Sequence, residues 1–136
     1  MSMFTLKRGL KARITRMVDF RDSFKKELDQ QLRDPRYGQE QCARLAAPTA
    51  ERYLANSGMT LRVATDLIDT AISGVWAAHG PASVVDTLKQ VKAKLTDYAS
   101  TPLTENPDQH MQAAMELIDG QLTDDLQRHI TPDTAV

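Results

Sequence analysis

Lys7, Arg8, Lys11, Arg13 and Arg16 follow one another with no acid between them, and Arg21, Lys25 and Lys26 continue the series. Cations at this density can neutralise nucleic-acid phosphates, rest on an anionic membrane surface or meet an acidic partner. Threaded among them, Leu6, Leu10, Ile14, Met17, Val18, Phe24, Leu28 and Leu32 recur at three, four and seven residues, the spacing of one apolar stripe on a helix. Within it Leu10, Ile14, Met17, Arg21, Phe24 and Leu28 alternate by four and three, a coiled-coil-like seam broken by a single arginine. The segment therefore has two functional readings. If the stripe faces outward, Leu10, Ile14, Met17, Phe24 and Leu28 bind a protein partner. If the cations do the work, Lys7, Arg8, Lys11, Arg13, Arg16, Arg21, Lys25 and Lys26 bind nucleic acid. Against both stands a bundle helix whose long basic side chains only stay in water. Asp19, Asp22, Glu27, Asp29 and Asp34 interrupt the cationic face, which ranks peripheral membrane contact last.

The remaining reactive side chains assemble no catalytic constellation. Asp125 and His129 are one helical turn apart, so carboxylate and imidazole can meet. Zinc needs three or four ligands, no His-Glu-x-x-His pattern supplies them, and a helix-ending ion pair is expected rather than a metal site. His79 reads as a helix-end or core histidine and His110 as a solvated one. Cys42 lies among alanines on an apolar face and reads as a small buried hydrophobe. There is no Gly-x-Ser-x-Gly context and no phosphate-cradling glycine loop. The pairs Asp66 with Asp69, Glu116 with Asp119, and Asp124 with Asp125 fall mostly on polar faces, where carboxylates keep ordinary acidity. No enzyme, metal or cofactor is expected. Trp76, at the edge of its helix's apolar stripe, is the side chain best suited to anchor a partner or a second subunit. Thr60 to Trp76 resembles a helix-turn-helix only superficially. Helical spacing continues through Ile68, Ala71 and Ile72 where a turn would fall, and Asp66 and Asp69 would repel phosphate.

These residues need helices to carry them. The first is read over 3–34, ending at Asp34-Pro35 because a proline ring disfavours helical geometry in the preceding residue. A second covers Gln39 to Asn56, interrupted or restarted at Pro48, with Ser57-Gly58 as its stop signal. The third starts after an N-cap at Thr60, runs to Ala78 and closes at His79-Gly80-Pro81. The fourth opens at Ser83 with Asp86 three residues on, a near capping box, and Val84, Leu88, Val91, Leu95 and Tyr98 repeat along it by four and three. Asn106-Pro107-Asp108 reads as N-cap, first-position proline and first-turn acid. The fifth helix then carries Met111, Ala114, Met115, Ile118, Leu122, Leu126 and Ile130, with Gly120 or Thr123 able to break it.

No segment alternates strictly between apolar and polar, and aromatic residues make up only 5%, so a sheet has little support. The expected fold is all-α: a single domain over 1–136, built as a four- to five-helix bundle with a long basic amphipathic N-terminal helix over 3–34, a compact body over 39–130 and a tail over 131–136. The net charge of -1 conceals an asymmetry, since ten of the 17 bases but only five of the 18 acids lie in the first 36 residues. One cysteine points to a reducing, cytoplasmic setting, and no apolar run is long enough for a transmembrane segment. The functional expectation is a non-enzymatic protein-interaction module, an adaptor, chaperone-like or regulatory protein acting through amphipathic helix surfaces. If the first helix reaches away from the body, its stripe would be covered by a second copy in a homodimer. The alternative is a small nucleic-acid-associated protein using the basic N-terminal helix.

Overall fold

The stripe of the first segment does form one long helix, α1, over Met3–Leu32. A computed structural model describes residues 3–127, with side chains from Thr5 onward. Three more α-helices follow among the described residues: α2 over Gln39–Ala77, α3 over Ala82–Ser100 and α4 over Asp108–Glu116. A π-helical turn, Leu117–Leu122, continues α4 without leaving helical backbone. The fold is an all-α bundle. His129, Ile130 and the tail expected at 131–136 lie outside the described residues.

Short connections at 33–38, 78–81 and 101–107 join antiparallel neighbours. Along the α1–α2 hairpin, Gly9 of α1 approaches Leu67 of α2, while Gln31 accepts a hydrogen bond from Thr49 at 2.8 Å near the connecting turn. α3 packs on α2 and α4 packs on α3. Lys7 and Lys11 of α1 close the ring by reaching Asp119 of the π turn at 3.3 and 2.7 Å.

The helices differ in length, and that divides the core. At about 1.5 Å per residue, the 39 residues of α2 span about 58 Å and the 19 of α3 about 28 Å. Where four helices meet, Leu6, Leu10, Ile14 and Met17 of α1 interlock with Ala64 and Ile68 of α2, Leu88, Val91 and Leu95 of α3, and Ala114, Ile118 and Leu122 beyond. Further along the hairpin α3 and α4 have ended. There a second cluster, Leu28, Ala46 and Tyr53 with Phe20, Phe24 and Ala50 against it, is closed by Leu103 from the 101–107 loop. α1 therefore belongs to the body and is not an arm upon it.

Several local expectations change. The second and third helices are one. Pro48 lies inside α2 on its solvent face, where the lost bond to the carbonyl of Arg44 is left toward water and the helix is free to curve around the core. Ser57-Gly58 does not stop the chain: Ser57 is buried with its hydroxyl donating to the carbonyl of Leu54, and Thr60 donates to the carbonyl of Ser57 instead of capping a new helix. Continuous packing of α2 along α1 outweighs these weak local stop signals. The real terminator is 20 residues later. Ala78 and His79 turn the chain, the N–H of Gly80 returns to the carbonyl of Val75 at 2.7 Å, and that of His79 to Trp76 at 3.1 Å. His79 takes the left-handed conformation there, φ 52°, in place of the usual glycine. A side chain on Gly80 would lie 2.9 Å from Val75, so that glycine follows from close approach.

α3 starts at Ala82 behind Pro81 with no side-chain cap, so the Ser83–Asp86 capping box is not formed. At α4 the cap is displaced by one residue: Pro107 occupies the N-cap position, and the side-chain oxygen of Asn106 accepts the N–H of Asp108 at 2.8 Å. Gly120 widens the fifth predicted helix into the π turn rather than breaking it, and Thr123 donates to the carbonyl of Ile118, five residues back, at 2.7 Å.

Candidate functional site

The seam expected to face a partner faces the core instead. Leu10, Ile14, Met17 and Leu28 are buried and Phe24 is half-buried against Tyr53, 5.8 Å between ring centroids. They are unavailable to another protein while the bundle is intact, and the motive for a homodimer through this stripe goes with them. The reason is geometric: with α2 on one flank of α1 and the π turn on the other, the stripe is the only face of α1 that can meet both.

The cationic series is likewise divided. Lys7 and Lys11 share Asp119 and hold its pKa below the ordinary carboxylate value, Lys11 with the larger effect. Lys25 pairs with Asp29 at 3.2 Å, and Arg13 donates to the carbonyl of Gly9 while its Nε is buried without a partner. Arg8, Arg16 and Lys26 remain exposed and outside any ion pair among the described residues.

Arg21 has the opposite fate from a phosphate contact. It is 4% exposed, and its two Nη atoms donate to the carbonyls of Thr101 (2.6 Å), Pro102 (2.8 Å) and Glu105 (2.9 Å) and to the hydroxyl of Tyr53 (3.2 Å). Its guanidinium stands 5.2 Å from the ring of Tyr53 and 5.6 Å from that of Tyr98. No carboxylate lies within ion-pair distance of it among the described residues, so carbonyl dipoles and ring faces carry the charge. The sequence signal was present, because Arg21 is the one cation in the seam. A long side chain at a core position belongs to whatever backbone it can reach, here the 101–107 loop that seats Leu103.

Beside this clamp opens a cleft of about 320 Å³, lined by Arg21, Asp22, Lys25 and Tyr98 and by residues 104–108 of the loop and the start of α4. Tyr98 is 3% exposed, and burial pushes its hydroxyl up to about 12, partly opposed by the nearby Arg21 charge. Sequence reading placed Tyr98 as the last rung of an apolar seam. Only the loop's return past it makes a cleft, and no local pattern encodes that.

The large apolar side chains left outside are carried mainly by α2: Leu45, Leu54, Met59, Val63 and Trp76, with Met59 66% and Trp76 59% exposed. At about 100° per residue Leu45, Met59 and Val63 fall within about 40° of one another, with Leu54 and Trp76 on the far side. Trp76, expected as an anchor, does stand in solvent.

The other reactive groups are separated. Asp125 is 2% exposed and accepts from Gln121 at 2.9 Å and Thr87 at 3.3 Å; its expected partner His129 is outside the described residues. Cys42 is buried with its sulfur 3.5 Å from the carbonyl of Asp34. Among the described residues no three His, Cys, Asp or Glu side chains gather into a metal-holding group, and no helix is long and apolar enough to cross a membrane. Set against protein-family models, curated proteins and solved structures, the chain matches none.

Proposed function

We propose that this protein is a non-enzymatic interaction module whose contact surface is the outer side of α2. The observation that carries the reading is Met59 and Val63, exposed one turn apart, with Leu45 on the same helical face about 21 Å further along α2, and no described element of the chain over them. Isolated exposed apolar residues are ordinary on any protein, but a row at helical spacing is the form in which a helix presents itself to another apolar surface. Trp76, exposed on the other side of α2, is not part of this row. An adaptor, chaperone-like or regulatory role fits such a surface.

A photo-crosslinking amino acid placed at Met59 tests this in cells, with the exposed Lys89 of α3 as the control position. The expected result is a protein adduct specific to Met59. The purified partner should then bind the intact chain and bind Met59→Glu at least about tenfold more weakly, the equivalent of about 1.4 kcal/mol. Equal adducts at both positions, or undiminished binding by Met59→Glu, would remove the α2 surface from consideration. A second reading, contact with nucleic acid, rests on Arg8, Arg16 and Lys26, the members of the basic N-terminal series that are exposed and outside ion pairs among the described residues. It requires binding to labelled DNA or RNA that falls steeply with salt and is lost on joint Arg8→Glu and Arg16→Glu replacement.

A further inference from the structure

A phenylalanine would fill the place of Tyr98 with the same ring, yet the chain keeps a hydroxyl there. That residue is 3% exposed, and its hydroxyl makes no hydrogen bond among the described residues. Instead it lines the 320 Å³ cleft. The oxygen is not sealed in the core, where only Arg13 Nε is a buried polar atom without a partner among the described residues; it is a donor that the fold leaves unused at the wall of the cleft, free to meet a solute. Because burial holds its proton to about pH 12, the hydroxyl is a permanent donor at any physiological pH.

The charges around it are of both signs. Beneath lies Arg21, whose four hydrogen bonds use only its Nη atoms. At the mouth Lys25 is tied only to Asp29, through a partly exposed pair that costs little to open. The exposed acids Asp22, Glu105 and Asp108 line the same cleft. The positive end of the α4 dipole also meets the cleft at residues 107 and 108. A simple anion would satisfy the donors but face the rim acids. A metal cation would face a fixed donor and finds no cluster of ligands. The volume stands at the lower end of the range of about 300–1,000 Å³ typical of ligand sites, which fits a small solute.

We propose that the cleft binds a free α-amino acid, its carboxylate taking the Tyr98 hydroxyl and the Lys25 ammonium, and its own ammonium facing Asp22 and Asp108. This site is separate from the α2 surface, and either assignment can fail without the other.

Titration calorimetry of the intact chain against each proteinogenic L-amino acid, at about 10 mM to reach millimolar dissociation constants, tests the proposal. At least one should bind. Acetate and methylammonium, each carrying one of the two charges, should bind at least about tenfold more weakly. Tyr98→Phe and Lys25→Gln should each weaken the bound amino acid by about tenfold, while the unliganded Tyr98→Phe protein melts no lower than the parent. The idea is overturned if no amino acid binds, if acetate binds as tightly, or if either variant binds as well as the parent. A clear fall in the Tm of unliganded Tyr98→Phe would also overturn it, because the hydroxyl would then be serving the fold.

Discussion

A single residue closes the longest helix against its own conformational preference. His79 adopts φ 52° so that Gly80 and His79 can return their N–H groups to Val75 and Trp76. In an L-residue the left-handed region crowds the β-carbon against the carbonyl oxygen, at about 1–2 kcal/mol, and glycine lacks the crowded atom. His79→Gly should therefore raise unfolding stability by about 0.5–1 kcal/mol once the extra freedom of the unfolded glycine is counted, seen as a higher urea midpoint with an unchanged slope. An unchanged or lower midpoint would mean that the imidazole makes up the difference. Arg21 shows how far residue type alone can mislead. Its charge placed it with the phosphate-binding series, whereas its position in the seam placed it in the core, and position prevailed because the loop carbonyls lie within its reach.

At the scale of an element, α2 carries the largest departure from local expectation. A proline and a Ser-Gly pair argue for two helices, and one helix of 39 residues forms. Pro48 costs about 3 kcal/mol in a helix interior through the absent donor and the clash with the preceding turn. Pro48→Ala should return much of that, raising the Tm, and should leave the bundle unchanged because the site faces solvent. Native-state hydrogen exchange provides a sharper check: the amides of residues 57–61 should be protected about as well as those of 64–68. Fast exchange confined to 57–61 would restore the two-helix reading. These boundaries were poorly legible for a definite reason. A cap or an interior glycine contributes about 1 kcal/mol and a proline about 3, while the packing of several turns against a neighbour sums to more, and the neighbour is not local in sequence.

For the whole molecule the consequential fact is that the basic first helix is structural. Leu6, Leu10, Ile14 and Met17 sit in the same core cluster as residues of α2, α3 and the π turn. Removing residues 1–36 should therefore unfold the chain, with loss of the cooperative thermal transition by circular dichroism. Retention of that transition would show that residues 37–136 fold without α1. A nucleic-acid assay based on this truncation would measure unfolding, so the charge-reversal pair Arg8→Glu and Arg16→Glu is the informative comparison. The ion pairs closing the ring act in the same direction at low pH. The folded-state acidity of Asp119 is strengthened by Lys11 and Lys7, so this contribution is present above its unfolded value of 3.8 and is lost as pH falls through the lower folded value. Both partners are substantially exposed, and the effect on stability is correspondingly small.

The all-α class, the first helix, the seam of α3 and the burial of Cys42 were determined by the sequence itself, because helical periodicity is written within each segment and survives any arrangement of the segments. Trp76 as an exposed side chain was legible in the same way, from its place at the edge of a stripe. Which apolar face would meet solvent was decided only in three dimensions: the stripe of α1 went inward and the row Leu45, Met59 and Val63 stayed out, since burial depends on which helices are long enough to cover which. The cleft at Tyr98 belongs to the same kind. Its walls come from residues 21–25 on one side and from 98 and 104–108 on the other, and the first segment is far in the chain from the rest.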